Sequence, residues 1–187
     1  MFERFTKDAR AVVSGAVEHC GRTGEEYVDE AHLLLALLDR EGSRAAFALA
    51  SLGLTGRREA VERALAEARR RGGLSRADVD ALAGLGIDLT EVVSRVEEAH
   101  GEGAMVPGRK SGVRRSGRRP FTRGAKELIA HSLHSAVAHG DRHIGDEHML
   151  LALTARPGVP SEVLADHGVT YAAVERVLWG GGQAKAG

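Results

Sequence analysis

An internal duplication constrains the fold of this chain more than any other feature of its sequence. Residues 121–158 align without a gap with residues 5–42, and both copies open with Phe-Thr and contain the string Leu-Leu-Ala-Leu. After a one-residue deletion, residues 164–170 continue the match with residues 49–55. A repeated unit of about 50 to 60 residues rarely buries enough apolar surface alone. The two copies are therefore predicted to pack on each other.

Each copy has the apolar spacing of helices. After Thr6, which suits a helix N-cap, apolar residues recur every three or four positions until Gly21 and Gly24. Residues 30–40 are apolar on most sides, which is typical of a helix in the centre of a core. Aromatic residues make up only 4% of the chain, and strands favour aromatic and β-branched side chains. We therefore predict an all-α fold.

The chain between the two copies is longer than a linker requires. The phrase LASLGL at 49–54 recurs as LAGLGI at 82–87, which indicates an insertion near the end of the first copy. Ser75 can cap a short helix within that stretch. The predicted organisation is a first repeat at 1–100 with a helical insertion at about 55–84, a Gly- and Arg-rich flexible linker at 101–120, a second repeat at 121–180 and a disordered tail at 181–187.

Bulk charge and composition point to no particular partner. Basic and acidic residues number 26 each, so the formal net charge is zero. The single cysteine, Cys20, lies on the apolar stripe of the first helix and is predicted to be a buried thiol. The charged N-terminal segment lacks the apolar core of a secretory signal, and no apolar run approaches the length of a membrane span. We expect a cytoplasmic protein with no membrane partner.

Residues 29–32 read Asp-Glu-Ala-His, a string shared with ATP-driven helicases. Such a motor needs a phosphate-binding loop of the form GxxxxGK[ST], and the sequence contains none. The same position in the second copy reads Gly-Asp-Glu-His, at the start of an equivalent apolar helix. The string is therefore interpreted as the start of a core helix. No Ser/His/Asp or Cys/His arrangement is evident either, so we expect a protein that is not an enzyme and needs no cofactor.

The nine histidines raise the question of a metal site. No HExxH motif, second cysteine or closely spaced acid pair accompanies them, so no metal is expected. His32 and His148 recur at one repeat position at a helix start, where a capping or packing role is favoured. Four further histidines cluster in the second copy, and the apolar stripe of its first helix places them mainly on the solvated side: His131, His134, His139 and His143.

The basic stretch 109–119 offers an alternative function. It could contact nucleic-acid phosphates, although it carries no aromatic residues for base stacking. A nucleic-acid-binding or regulatory protein is therefore one alternative. A structural scaffold, in which the insertion at 55–84 forms an oligomer contact, is another.

The duplicated motifs also resemble a known family. MFERFT at the start, PFTRGAK at 120–126, the two helices with His-x-Leu-Leu and LGIDLTEVVSRVEEAHGEG are similar to the N-terminal Clp R domain of ClpC-type unfoldases. In that family each repeat carries FT-x-x-A-[RK] and G-T-E-H-[IL]-L-L. The resemblance implies two four-helix repeats related by a pseudo-twofold axis. It also implies docking of adaptors and substrates rather than catalysis.

The resemblance carries over to individual residues. In some family members the two repeats bind phosphorylated arginine, through the Thr of FT and the Glu of GTEH. The threonines correspond to Thr6 and Thr122, and the second-repeat glutamate to Glu147. In the first repeat, Ala31 stands at the glutamate position, and Glu30 is expected to point elsewhere because helical neighbours lie about 100° apart. The first site is therefore predicted to lack its guanidinium partner.

The surface that binds cyclic-peptide antibiotics in the family matches Phe2, Arg10, Phe121 and Lys126. The sequence thus predicts a peptide-binding module beside the ClpC/ClpP system. Its ligand would be an adaptor, an arginine-phosphorylated protein or a cyclic peptide, and it would act as an accessory, competitor or decoy of ClpC.

Overall fold

The computed structural model describes residues 3–107 and 119–180. Three parts of the chain lie outside the described residues: the N-terminus up to Phe2, the segment 108–118 with most of the basic stretch, and the predicted tail at 181–187. Within them the chain forms ten α-helices, and no strand accompanies these. The helices are α1 (Lys7–Thr23), α2 (Glu30–Leu38), α3 (Arg44–Ser51), α4 (Arg58–Arg70), α5 (Arg76–Gly84), α6 (Leu89–His100), α7 (Arg123–Ala138), α8 (Asp146–Ala155), α9 (Val159–Asp166) and α10 (Tyr171–Trp179).

The predicted helix starts are confirmed by their caps. Thr6 caps α1 and Thr122 caps α7, and each threonine hydroxyl accepts a hydrogen bond at 3.1 Å from the backbone three residues on. Gly24 ends α1 at φ 75°, in the left-handed region that favours glycine. Ser75 caps α5. Each of these signals is local in sequence, which is why it can be read without the tertiary structure.

The two repeats are intertwined about a pseudo-twofold axis. Helices α2 and α8 lie in contact at the centre, with α1 packed on α2 and α7 packed on α8. The third helix of each repeat packs on both repeats: α3 contacts α2 of its own repeat and α8 and α10 of the other, and α9 contacts α8 of its own repeat and α2 and α4 of the other. The all-α fold of two related repeats is thereby confirmed. Neither repeat buries its apolar face without the other.

Two short backbone bridges join the repeats and obey the same symmetry. Phe5 pairs with Ile144, and Val28 pairs with Phe121. The Thr6 N–H donates to the Ile144 carbonyl at 2.9 Å. The start of each repeat is thus held beside the second helix of the other repeat. Thr6 lies next to the start of α8 and Thr122 lies next to the start of α2.

Helix α4 lies inside the stretch predicted to be an insertion, yet it packs as a core element. Its Val61 and Leu65 are buried, and it shares the string Ala-Val-Glu-Arg with α10. We propose that α4 is the fourth helix of the first repeat. The additional segment is then α5 and α6, which bury little apolar surface: Leu89 and Val93 are buried, whereas Leu85 is 79% exposed.

The additional segment is attached to the second repeat through α9. The carboxylate of Glu162 accepts a hydrogen bond from the backbone N–H of Arg76 at 2.7 Å, and the Arg76 guanidinium pairs with Asp166 at 2.8 Å. None of the helices in the described part of the chain combines the length and the apolar character that a membrane span requires.

Candidate functional site

The sequence-predicted site residues occupy two symmetric places where the repeats meet. We call them the Thr6 half-site (Thr6, Asp8, Ser43, Arg44, Asp146 and Glu147) and the Thr122 half-site (Thr122, Gly124, Glu30, Ala31, Arg156 and Val159). Each half-site combines the first helix of one repeat with the second helix of the other. Each threonine lies beside the second helix of the other repeat: Thr6 lies beside α8, and Thr122 lies beside α2.

Glu147 is buried in the Thr6 half-site and already holds a guanidinium group. The residue is 5% exposed, and its carboxylate accepts a hydrogen bond from Arg44 at 2.8 Å. The same guanidinium lies 3.8 Å from Asp141 and stacks over the ring of Trp179, 5.0 Å from the centroid. The buried carboxylate is thus paired, as a buried charge must be.

Gly145 makes room for this arrangement. A Cβ atom at Gly145 would lie 2.0 Å from a carboxylate oxygen of Glu147, so the glutamate folds back over its own helix N-terminus. The first repeat reverses the pattern: Asp29 stands at the glycine position and Ala31 at the glutamate position. Asp29 caps α2 by accepting from the His32 N–H at 3.0 Å. The carboxylate of the first repeat therefore stands two residues earlier than that of the second repeat.

Asp146 is a second buried acid of the Thr6 half-site. Burial and the neighbouring Glu147 carboxylate raise its pKa to about 6, although a hydrogen bond from Ser43 opposes the shift. One of its oxygens is buried without a hydrogen-bond partner among the described residues. Asp8 adds to the local negative charge and is itself paired with Arg40 at 2.6 Å. The half-site therefore holds three carboxylates and the Arg44 guanidinium, and Arg40 pairs with one of the carboxylates from outside it.

The Thr122 half-site contains a carboxylate that sequence reasoning placed elsewhere. Glu30 accepts a hydrogen bond from the Thr122 hydroxyl at 3.4 Å. Its carboxylate also lies against Gly124, where a Cβ atom would come within 1.8 Å of it. The expectation that Glu30 points away from this site is therefore wrong. The missing information was the position of α7, which belongs to the other repeat.

The remaining predicted residues lie around these half-sites. Arg10 and Lys126 are exposed on the second turns of α1 and α7. Phe121 is half-buried beside Val28. Phe2 lies outside the described residues, so its predicted place on this surface stays a prediction.

His32 and His148 cap their helices, which confirms the role predicted for them. The Nδ1 atom of His32 accepts from the Asp29 N–H at 3.1 Å, and that of His148 accepts from the Gly145 N–H at 2.9 Å. Burial lowers the pKa of His148, although the nearby Asp141 carboxylate raises it. A neutral, buried imidazole fits this capping role.

An arginine is inserted beside each of these histidines. In the first repeat, Arg69 of α4 donates to Glu25 at 2.6 Å and to Asp29 at 3.0 Å. Burial alone would raise the pKa of Asp29, but the hydrogen bond with His32 and the charge of Arg69 hold it below its ordinary value. Beside His148 the arginine is Arg44, which comes from α3 of the first repeat and pairs with Glu147 and Asp141. Sequence reasoning could not identify either arginine, because each arginine lies far along the chain from the acidic residues with which it pairs.

The two acid-and-histidine clusters have the ligand types of metal sites. One consists of Glu25, Asp29 and His32, and the other of Asp141, Glu147 and His148. A guanidinium group already supplies the positive charge in each cluster. The arrangement therefore favours structural ion pairs over metal coordination.

His139 departs from the solvated position predicted for it. Its side chain is 12% exposed and stacks on Trp179, with ring centroids 4.0 Å apart. His131, His134 and His143 are exposed, as predicted. The stacking of His139 could not be inferred from helix periodicity, since Trp179 belongs to another helix.

Comparisons with known proteins agree with this architecture. The chain is 29% identical over 169 residues to chaperone protein ClpC1, chloroplastic, of Arabidopsis thaliana, covering 90% of this chain and 14% of that protein. It is 27% identical over 171 residues to the negative regulator of genetic competence ClpC/MecB of Bacillus subtilis, covering 91% of this chain and 16% of that protein. The chain thus spans about one sixth of these relatives or less.

A solved structure shares the fold. The crystal structure of the N-terminal domain of the caseinolytic protease associated chaperone ClpD from Arabidopsis thaliana matches with a TM-score of 0.54 and 17% sequence identity, over 95% of this chain and 94% of that one. The sequence profile of the Clp repeat (R) N-terminal domain matches residues 4–79 and 120–183. These matches span both repeats, and the chain belongs to the Clp repeat (R) N-terminal domain family.

Proposed function

We propose that this protein is a non-catalytic module that binds peptide segments, adaptors or arginine-phosphorylated proteins. Family membership supports a binding role. The relatives are described as ATP-binding Clp subunits and chaperones, of which this chain matches a small part. We further propose that it acts beside a ClpC-type unfoldase as an accessory, competitor or decoy.

The contact between Arg44 and Glu147 carries the proposal. It demonstrates that the buried carboxylate accepts a guanidinium group at hydrogen-bonding distance. The N-terminus of α1 lies in the same half-site, and a helix N-terminus with a threonine cap favours an anion. A phosphorylated arginine has both groups. It would bind by displacing Arg44 from Glu147.

The predicted cyclic-peptide surface supports a second ligand class. Arg10 and Lys126 are exposed, and Phe121 is half-buried at the junction of the repeats. Arg10 and Lys126 offer charge near the starts of α1 and α7, and Phe121 offers apolar area near the start of α7. We propose that cyclic-peptide antibiotics bind here without entering the carboxylate site.

The proposal is tested by calorimetric titration of the protein with phosphoarginine and with a cyclic peptide. Glu147→Ala should weaken phosphoarginine binding, because it removes the guanidinium acceptor. Ala31→Glu should strengthen it by adding a carboxylate to the Thr122 half-site. Glu59→Gln, at an exposed position of α4, serves as the control and should change neither affinity.

A functional assay completes the test. The protein is added to a ClpC-dependent proteolysis reaction with an arginine-phosphorylated substrate, and the rate of degradation is measured. A change of rate that depends on Glu147 would support the role beside ClpC. If the protein binds none of these ligands and leaves the rate unchanged, the proposed function is wrong.

A further inference from the structure

The Thr122 half-site contains an open cleft of about 200 Å³. Ala31 and Val159 line it, and these residues stand where Glu147 and Arg44 stand in the other half-site. An ion pair has thus been replaced by two small apolar side chains. The cleft lies between α2, α4, α7 and the start of α9.

Part of the cleft lining is apolar. Leu65, Leu128 and Leu153 of the core line it, together with Pro157 and Pro160. An apolar cavity of about 150 Å³ is large enough to bind a benzene ring. The cleft therefore has room for one leucine or phenylalanine side chain.

The lip of the cleft carries unpaired negative charge. Arg69 is held by Glu25 and Asp29, and Arg156 is held by Glu127 at 2.8 Å. Glu30, by contrast, forms no ion pair with a basic residue in the parts of the chain that the structure describes; its carboxylate meets the Thr122 hydroxyl. A ligand with positive charge beside its apolar group would complement this lip.

We propose that the cleft binds one leucine- or phenylalanine-sized side chain of an extended peptide in which lysine or arginine flanks that residue. The apolar side chain enters between Ala31 and Val159, and the basic neighbour pairs with Glu30. This site differs from the guanidinium site at Glu147 both in place and in ligand. The two half-sites would then recognise different features of a bound protein.

The probe is the peptide acetyl-Gly-Lys-Leu-Lys-Gly-amide, titrated into the whole protein and followed by NMR chemical shifts. Replacing its leucine with alanine should weaken binding about tenfold or more, since the isobutyl group would no longer be buried. Replacing its lysines with glutamate should abolish saturable binding. Equal affinity for the leucine and alanine peptides, or no binding of the leucine peptide, would overturn the proposal.

Variants of the protein locate the site. Ala31→Leu fills the cleft and should weaken the leucine peptide about tenfold, and Glu30→Gln should weaken it several-fold by removing the charge on the lip. The control Glu59→Gln should have no effect. An unchanged affinity in Ala31→Leu would show that the peptide binds elsewhere, against the proposal.

The outcome is separable from that of phosphoarginine binding. Ala31→Leu leaves Glu147 and Arg44 intact, so phosphoarginine binding at Glu147 should persist, whereas Glu147→Ala should leave the leucine peptide unaffected. If phosphoarginine fails to bind but the leucine peptide binds in an Ala31-dependent manner, the cleft is supported and the guanidinium site is not. If phosphoarginine binds but the leucine peptide does not bind in an Ala31-dependent manner, only the cleft proposal is refuted.

Discussion

Removal of Arg44 tests how much the ion pair with Glu147 stabilises the Thr6 half-site. In Arg44→Ala, the Glu147 carboxylate stays buried, with 6% of its side chain exposed, but loses its guanidinium partner. Breaking an ion pair in which both groups are buried costs about 3–5 kcal/mol of stability, whereas a pair at the surface contributes about 0–1 kcal/mol. Since the Arg44 side chain is 47% exposed, we expect an intermediate loss of about 2 kcal/mol.

The loss is measured by urea unfolding and by thermal melting. For a chain of this size, about 2 kcal/mol corresponds to a fall in melting temperature of about 4–8 °C. The matched control is Arg123→Ala, because Arg123 pairs with Glu127 on an exposed helix face with 93% of the arginine side chain accessible. Its removal should cost about 0.5 kcal/mol or less.

Free arginine should restore the lost stability. A ligand that binds the folded state stabilises it by about 2.7 kcal/mol at a concentration one hundred times its dissociation constant. Arginine should therefore raise the melting temperature of Arg44→Ala more than that of the wild-type protein or of Arg123→Ala. If Arg44→Ala is as stable as the wild type, or if arginine stabilises all three proteins equally, the reasoning about an internal guanidinium ligand is refuted.

Two further outcomes follow from the buried titratable groups. Because the pKa of Asp146 is raised to about 6 in the folded state, the folded protein binds the extra proton and stability should fall as pH rises from about 4 to 6. Asp146→Asn should remove that pH dependence and stabilise the protein by about 1–3 kcal/mol at pH 7.5, as measured by urea unfolding. The control Asp80→Asn, at an exposed carboxylate, should change neither the pH dependence nor the stability. An unaltered pH profile in Asp146→Asn would contradict the assignment. Burial raises the pKa of Cys20 to about 11, so its thiol should react with a disulfide reagent only after unfolding, and rapid labelling of the native protein would show that it is accessible.

The local features of the fold could be predicted because their causes are local. Apolar spacing and a threonine hydroxyl three residues from the N–H it binds are sufficient to locate α1 and α7. A capping or packing role for His32 and His148 was likewise predicted from their repeated position at a helix start, and the structure shows that both cap. Family membership also followed from short motifs present in both copies.

The composition of the half-sites was not predictable in the same way. Glu30 and Thr122 are 92 residues apart, and Arg44 and Glu147 are 103 residues apart. Helix periodicity defines which face of a helix a residue occupies, but it does not say which other helix covers that face. The expectation about Glu30 was wrong for this reason.

The sequence by itself determined that two homologous helical units exist, where most of their helices begin, and that a carboxylate at the Glu147 position is replaced by Ala31 in the first repeat. Only the tertiary structure decided that the third helix of each repeat also packs on the other repeat, that Arg44 pairs with the Glu147 carboxylate and that the Ala31 position lines a cleft. The physical reason is that neither repeat can bury its apolar face alone. Each half-site is therefore formed by packing between the repeats, which a motif within one repeat does not specify.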